Sequence, residues 1–333
     1  MLKQRRNRLT ILCLFSALLL SAPGNVARTA RADPVEVIFW PTKDNTLYEY
    51  AGYDPADPAT RPYSNGQGNF FAAGLSHGGK TEPAQIQRGL LHFDLAGEIP
   101  SGATVTEVTL GLHVVKVPSV ANGWVDFWLV ALAPDQLGDS WGEGGSRANV
   151  AYGSDLGDSA PGRGRPAEPG DATWYHAEYN PSAHDPPHFP GTLADGYWAE
   201  KGALGAEAFV PAFDPVGSVA DQRFFNELEN QYDWRFDQPT DQVLIDVQRW
   251  VDDPASNLGW VLVGEESVPT SARLFASGEH ANPDWWPTLT VAYTLDAVTV
   301  PEPSSWLLAL IAAALLGGRA WARHGRPATR RTD

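Results

Sequence analysis

The side chains with most chemistry to offer in this 333-residue chain are carboxylates set beside tryptophans, and acids grouped near the start of the body. Glu143 stands two residues after Trp141, and Asp171 stands three before Trp174. Two such carboxyls could serve as acid and base on a glycosidic bond if the fold held them at the separation that reaction needs. The same residues, with Trp198, could instead hold a sugar without cleaving it, because pyranose C–H faces pack on indole rings while carboxylates take the hydroxyls. Asp44, Asn45 and Glu49 supply the hard oxygens that Ca²⁺ collects, and Asx-turn chemistry is the competing use of the same residues. His176, His184 and His188 offer imidazoles suited to zinc, yet Pro186 and Pro187 stop any helix from presenting the last two on one face. No metalloprotease His-Glu-x-x-His motif is present. The expectation is a non-catalytic chain with no certain cofactor, Ca²⁺ being the candidate.

These residues need a scaffold, and the sequence spells one in short β-type runs separated by Gly, Pro, Asn and Asp. Segments 35–40, 89–93, 105–117, 124–131, 243–247, 260–263, 273–276 and 288–293 read as strands. In 106–114 the apolar residues Val108, Leu110, Leu112 and Val114 alternate with polar or small ones, the period of a strand with one wet face. In 89–93, Leu91 and Phe93 oppose Leu90 and His92, which suits a strand covered on both sides. Helical spacing is confined to 221–229 and 246–251, the latter placing Val247, Trp250 and Val251 on one face. The pattern predicts an all-β fold, an antiparallel β-sandwich of jelly-roll type over residues 33–298. Residues 152–234 break the rhythm and read as a loop-rich insertion over one end of the sandwich. Trp174, Trp198, Trp285 and Trp286 lie in or beside polar loops, where exposure is expected.

The two ends differ from the body. Lys3, Arg5, Arg6 and Arg8 precede an apolar run from Leu9 to Leu20, and Ala30-Arg31-Ala32 offers a small-x-small cleavage site. This is the order of a secretory signal peptide over 1–32, read by the translocon and signal peptidase. At the other end Pro301-Glu302-Pro303 runs into an uncharged stretch, 304–318, followed by Arg319, Arg323, Arg326, Arg330 and Arg331. That stretch is predicted to be a transmembrane helix with the arginines on the cytoplasmic side. Residues 1–32 hold six Lys and Arg and no acid, and 303–333 hold five and one; the 13 bases and 39 acids between them give the body a formal charge of −26. Such a field repels phosphate backbones and excludes nucleic acid as a partner. The single cysteine, Cys13, lies in the signal segment, so the body has no disulfide to rely on.

Two resemblances add to this. The C-terminal order over 300–331 resembles the PEP-CTERM sorting signal, which implies processing by an exosortase and delivery to the cell envelope, outer surface or extracellular matrix after transient anchoring in the inner membrane. In the body, Asp44-Asn45-Thr46-Leu47-Tyr48-Glu49 is followed by Ser64-Asn65-Gly66 and Arg88-Gly89-Leu90-Leu91-His92-Phe93-Asp94-Leu95. Further on come Trp141-Gly142-Glu143-Gly144, Asp171-Ala172-Thr173-Trp174, Asn257-Leu258-Gly259-Trp260 and Phe275-Ala276-Ser277-Gly278-Glu279. This succession resembles the disaggregatase-related repeat (DNRLRE) domains, with Thr46 and Tyr48 where that family has arginines. The resemblance implies a β-sandwich and, through the carbohydrate-binding members of the wider group, an extracellular polysaccharide as partner. A purely structural matrix protein and a polysaccharide-cleaving enzyme are the two rival expectations.

Overall fold

Turn residues cut the body into short strands: β1 (Val35–Phe39), β2 (Lys43–Tyr48), β3 (Tyr63–Ser64), β4 (Phe70–Leu75), β5 (Ile86–His92), β6 (Ala103–Lys116) and β7 (Val125–Ala131). There follow β8 (Arg165–Pro166), β9 (Gly217–Val219), β10 (Gln231–Phe236), helix α1 (Gln242–Asp252), β11 (Trp260–Gly264), β12 (Arg273–Ala276) and β13 (Thr288–Leu295). The structure, a computed structural model, describes residues 33–54, 57, 59–77, 83–117, 125–132, 140–148, 164–182, 196–198, 201–203, 217–219 and 230–295. All belong to one unit, Ala32–Asp296. Eleven strands form one antiparallel sheet in the order β1-β13-β6-β12-β4-β5-β11-β7-β9, with β10 on β6 and β2 on β5. β3 and β8 make a separate two-stranded ribbon.

The sheet curls into a half-barrel. The antiparallel all-β class expected from the sequence holds, but the pairing does not establish a jelly-roll, because β12 and β4 carry hydrogen bonding continuously from one half to the other. Curling is built in by register shifts, one between Leu274 and Phe275 on β12 and one between Ala292 and Tyr293 on β13. The second shift explains why Val105 and Val108 both point inward although they differ in parity. Where β4 meets β5, Gly74 has φ +111° and its backbone lies so close to Gly264 that a Cβ at 264 would come within 2.8 Å of it. Only glycine allows that approach.

Inside the curl, Leu91, Phe93, Val108, Leu110, Phe127 and Phe275 are fully buried in the main core. Helix α1 packs Val243, Val247, Trp250 and Val251 into the same core. Residues 243–247, expected as a strand, are therefore helical: the spacing 243, 247, 250, 251 is one helix face, and it outweighs the β-branched composition. The outer face of β5 and β11 is also covered. Leu90, Val261 and Val263 pack against Trp141, Trp174 and Trp198 in a second cluster, which meets the two-sided expectation for β5. The described parts of the insertion thus lie across a sheet face as well as along its rim, and the segment expected to end the insertion is β10, paired with β6. Among the described residues no helix is long and apolar enough to cross a membrane. The signal segment with Ala30 and Ala32, Cys13, the helix expected at 221–229, His184, His188, the anchor 304–318 and the sorting residues Pro301, Glu302, Pro303, Arg319 and Arg323 lie outside the described residues.

Candidate functional site

The structure brings most of the sequence-predicted site residues together, as a clasp that ties the insertion to β2. Asn45, fully buried, accepts at Oδ1 from Thr46 N (2.6 Å), Ser64 Oγ (2.9 Å) and Asn65 N (3.0 Å). Its amide donates to the carbonyls of Glu143 (3.2 Å) and Ala172 (3.3 Å). Asn65 in turn donates to Phe70 O at 2.7 Å and accepts from Ala148 N at 2.6 Å. Asp171 takes Gly145 N (2.7 Å) and Ser146 N (3.2 Å) on one oxygen and Glu168 N (2.7 Å) on the other. Burial pushes its carboxyl up, and these donors pull it back. Asn45, Asn65 and Asp171 each have partners from distant segments, as a buried network requires.

The tryptophans expected to carry sugar are inside. Trp141 is 1 % exposed, Trp174 3 % and Trp198 0 %. Trp141 Nε1 donates to Leu258 O (2.9 Å) and Trp198 Nε1 to Thr173 O (2.6 Å). Lys43 Nζ lies 4.6 Å from the Trp141 ring centre, and the Arg88 guanidinium 4.7 Å from that of Trp174. Sequence neighbours of these rings are polar, which suggested exposure; the polar groups turn out to bond one another and seal the rings beneath. Trp285 and Trp286 remain half-exposed, with Trp285 stacked on His113 at 4.2 Å and on His280 at 4.8 Å.

The expected calcium set comes apart. Asp44 and Asn45 are successive strand residues facing opposite sides, and Asn45 has its oxygen fully engaged. Glu49 is exposed beyond the far end of β2, about 17 Å along an extended chain from Asp44. Asp44 instead meets other acids. Its backbone N–H donates to Glu143 Oε1 (3.1 Å), and its Oδ2 accepts from Gly278 N (2.7 Å). Burial, then the charge of Glu279, hold the Asp44 carboxyl well above the usual range. Glu143, whose other oxygen accepts from Gln67 Nε2 at 2.9 Å, is raised by burial to about 7. Among the described residues no three His, Cys, Asp or Glu side chains converge as placed to hold a metal ion. His176 is buried against Tyr179 and Tyr197, bonds Thr173 Oγ1 through Nδ1 (2.9 Å), and is pushed down to about 3 by burial.

A concave site lies beside the β3–β8 ribbon, where sequence reasoning had not looked. Tyr50, Thr60, Arg61, Tyr63 and Pro166 line a cavity of about 310 Å³. The Tyr50 and Tyr63 rings meet edge to face at 4.3 Å. Gly52 makes room for this: a Cβ there would come within 2.6 Å of the Tyr50 ring. Pairing of Tyr63 with Pro166, and the Ala167 N to Pro62 O bond of 2.8 Å, fix the cavity wall. Arg61 is exposed at the rim. The available signal was the aromatic, Gly- and Pro-punctuated loop from Tyr50 to Tyr63.

Comparison with known proteins bears on the tail. Residues 299–324 match the PEP-CTERM protein-sorting motif. No curated protein matches the chain. The motif implies an exosortase as processing partner and export to the cell envelope and surface.

Proposed function

We propose that the exported body is a non-catalytic polysaccharide-binding module that takes a sugar of an acidic exopolymer in the Tyr50–Tyr63 cavity. The observation that carries this is the cavity itself, which Tyr50, Tyr63 and Arg61 line in about 310 Å³, the lower end of ligand-site sizes. Tyrosine rings suit the C–H faces of a pyranose, and Arg61 suits a carboxylate through paired N–H donors. A polyanion would be repelled by a body of formal charge −26 except where such a cation is presented. The likeness to DNRLRE domains points to the same class of ligand. The hydrolytic alternative is not favoured by Glu143 and Asp171, whose oxygens are occupied by donors of the clasp.

The test is retention of the purified full chain on a panel of immobilised uronate-containing and neutral glycans. Retention on the acidic set, lost in Arg61→Ala and Tyr63→Ala while the melting temperature stays put, supports the reading. Uniform non-retention at high protein loading defeats it, and release of reducing or unsaturated ends would replace it by the enzyme.

A further inference from the structure

The acids around Asp44 form a cluster independent of the sugar cavity, and they include two buried oxygens with nothing to bind. Asp44 is 1 % exposed; Oδ2 is held by Gly278 N, whereas Oδ1 has no hydrogen-bond partner among the described residues. Glu279, the next residue after Gly278, leaves its buried Oε2 equally without a partner. Glu143 approaches from a third segment through the Asp44 backbone N–H. The nearby cations offset the group only in part: Lys43, whose Nζ donates to Ser140 Oγ (2.9 Å) and Trp141 O (2.8 Å), acts through its charge on Glu143, and Arg147 is exposed, acting on Glu279 at a distance, so neither bonds Asp44 Oδ1 or Glu279 Oε2. A buried carboxylate oxygen left unsatisfied is costly, and two that repel each other are more so. Something must sit with them, either a cation or a proton.

We propose that Asp44, Glu279 and Glu143 bind one divalent cation of the Ca²⁺ type, with Asp44 Oδ1 and Glu279 Oε2 as its first two ligands. Asp44 is pre-set by its Gly278 bond. The two glutamates are only half-buried and swing inward to complete the contact, Glu143 releasing Gln67. Water fills the remaining positions. Ca²⁺ fits better than Mg²⁺ because it accepts irregular sets of six to eight oxygens, which suits side chains that swing in from three segments, whereas Mg²⁺ demands a near-ideal octahedron. The ion links β2, the segment after Trp141 and the loop after β12, so it closes the clasp from the outside.

The experiment uses the full chain stripped with chelator and titrated with CaCl₂ alone, read by calorimetry and by thermal melting. The expected dissociation constant is in the range of about 0.1–1 mM typical of extracellular modules, with a rise in Tm of about 3 °C at tenfold excess. Asp44→Asn keeps an acceptor for Gly278 N and loses at least tenfold in affinity; Glu279→Gln, which disturbs less of the interior, does the same; Glu36→Gln on the exposed edge of β1 leaves affinity unchanged. The proposal is overturned if the wild type gives neither heat nor a Tm shift at millimolar Ca²⁺, or if Asp44→Asn and Glu279→Gln bind like wild type. A Tm that climbs on acidification yet ignores Ca²⁺ also overturns it, since that is the mark of a shared proton.

Discussion

Arg88 offers the sharpest test of how the insertion is held. It stands in the middle of the sheet, with no exposed side-chain surface, and grips Glu266, itself 11 % exposed, through Nε–Oε1 (2.8 Å) and Nη2–Oε2 (3.1 Å). Its third nitrogen, Nη1, donates to Gly202 O in the insertion at 2.8 Å, and its plane lies over Trp174. Arg88→Met keeps most of the stem volume but strands the Glu266 charge and the Gly202 carbonyl. Breaking one partner of a buried pair costs about 3–5 kcal/mol, and the slight exposure of Glu266 places the expectation near about 3 kcal/mol, since water screens part of the stranded charge. With an m-value near about 3 kcal/mol/M, the urea midpoint should fall by about 1 M, and Tm by about 6–10 °C, both followed by tryptophan fluorescence. The double variant Arg88→Met/Glu266→Leu should cost less than the sum of its single changes, because no charge is then left buried alone. A loss under about 1 kcal/mol for Arg88→Met, or strict additivity in the cycle, would refute the reasoning.

Three further outcomes are expected. Glu143 has a folded-state pKa raised to about 7, so between its unfolded value of about 4.5 and 7 the folded protein holds the extra proton and stability falls as pH rises through that window; Glu143→Gln should flatten this fall by about 1 kcal/mol, discounted for solvent screening of a half-exposed group, in melts run with chelator, and an unchanged slope would count against the assignment. Asn45→Ala strips Ser64 Oγ, Asn65 N, and the carbonyls of Glu143 and Ala172 of one partner and should cost about 3 kcal/mol, together with faster proteolysis within 149–195; a cost within error of zero would mean that the clasp holds nothing. Glu302→Ala should leave the protein in the membrane fraction instead of at the surface, and normal release on fractionation would show that the Pro-Glu-Pro signature is not read.

Apolar periodicity made β6 and the two-sided β5 legible, because the period of two is a local property and both strands obey it. The misreadings have a common physical origin. Asp44 and Asn45 read locally as cation ligands or an Asx turn, yet with Thr46 they occupy β2, and what allows three polar residues to be buried in a strand comes from far away: Glu143 lies 99 residues from Asp44, and Ala172 lies 127 from Asn45. No window along the chain contains those partners. The tryptophans failed for the same reason, since Trp198 is sealed by a carbonyl 25 residues distant. It follows that the polar phrases around Asn45, Asn65, Glu143 and Asp171 are spent largely on one another, as the bonds among them show. A ligand has to be met by side chains that the clasp does not consume. Among the described residues these are the Tyr50 and Arg61 side chains at the cavity and the two orphaned carboxylate oxygens of Asp44 and Glu279, so substitutions at these two places should change binding, substitutions of Asn45, Asn65 and Asp171 should change stability, and substitution of Glu143, which serves both the clasp and the ion, should change both.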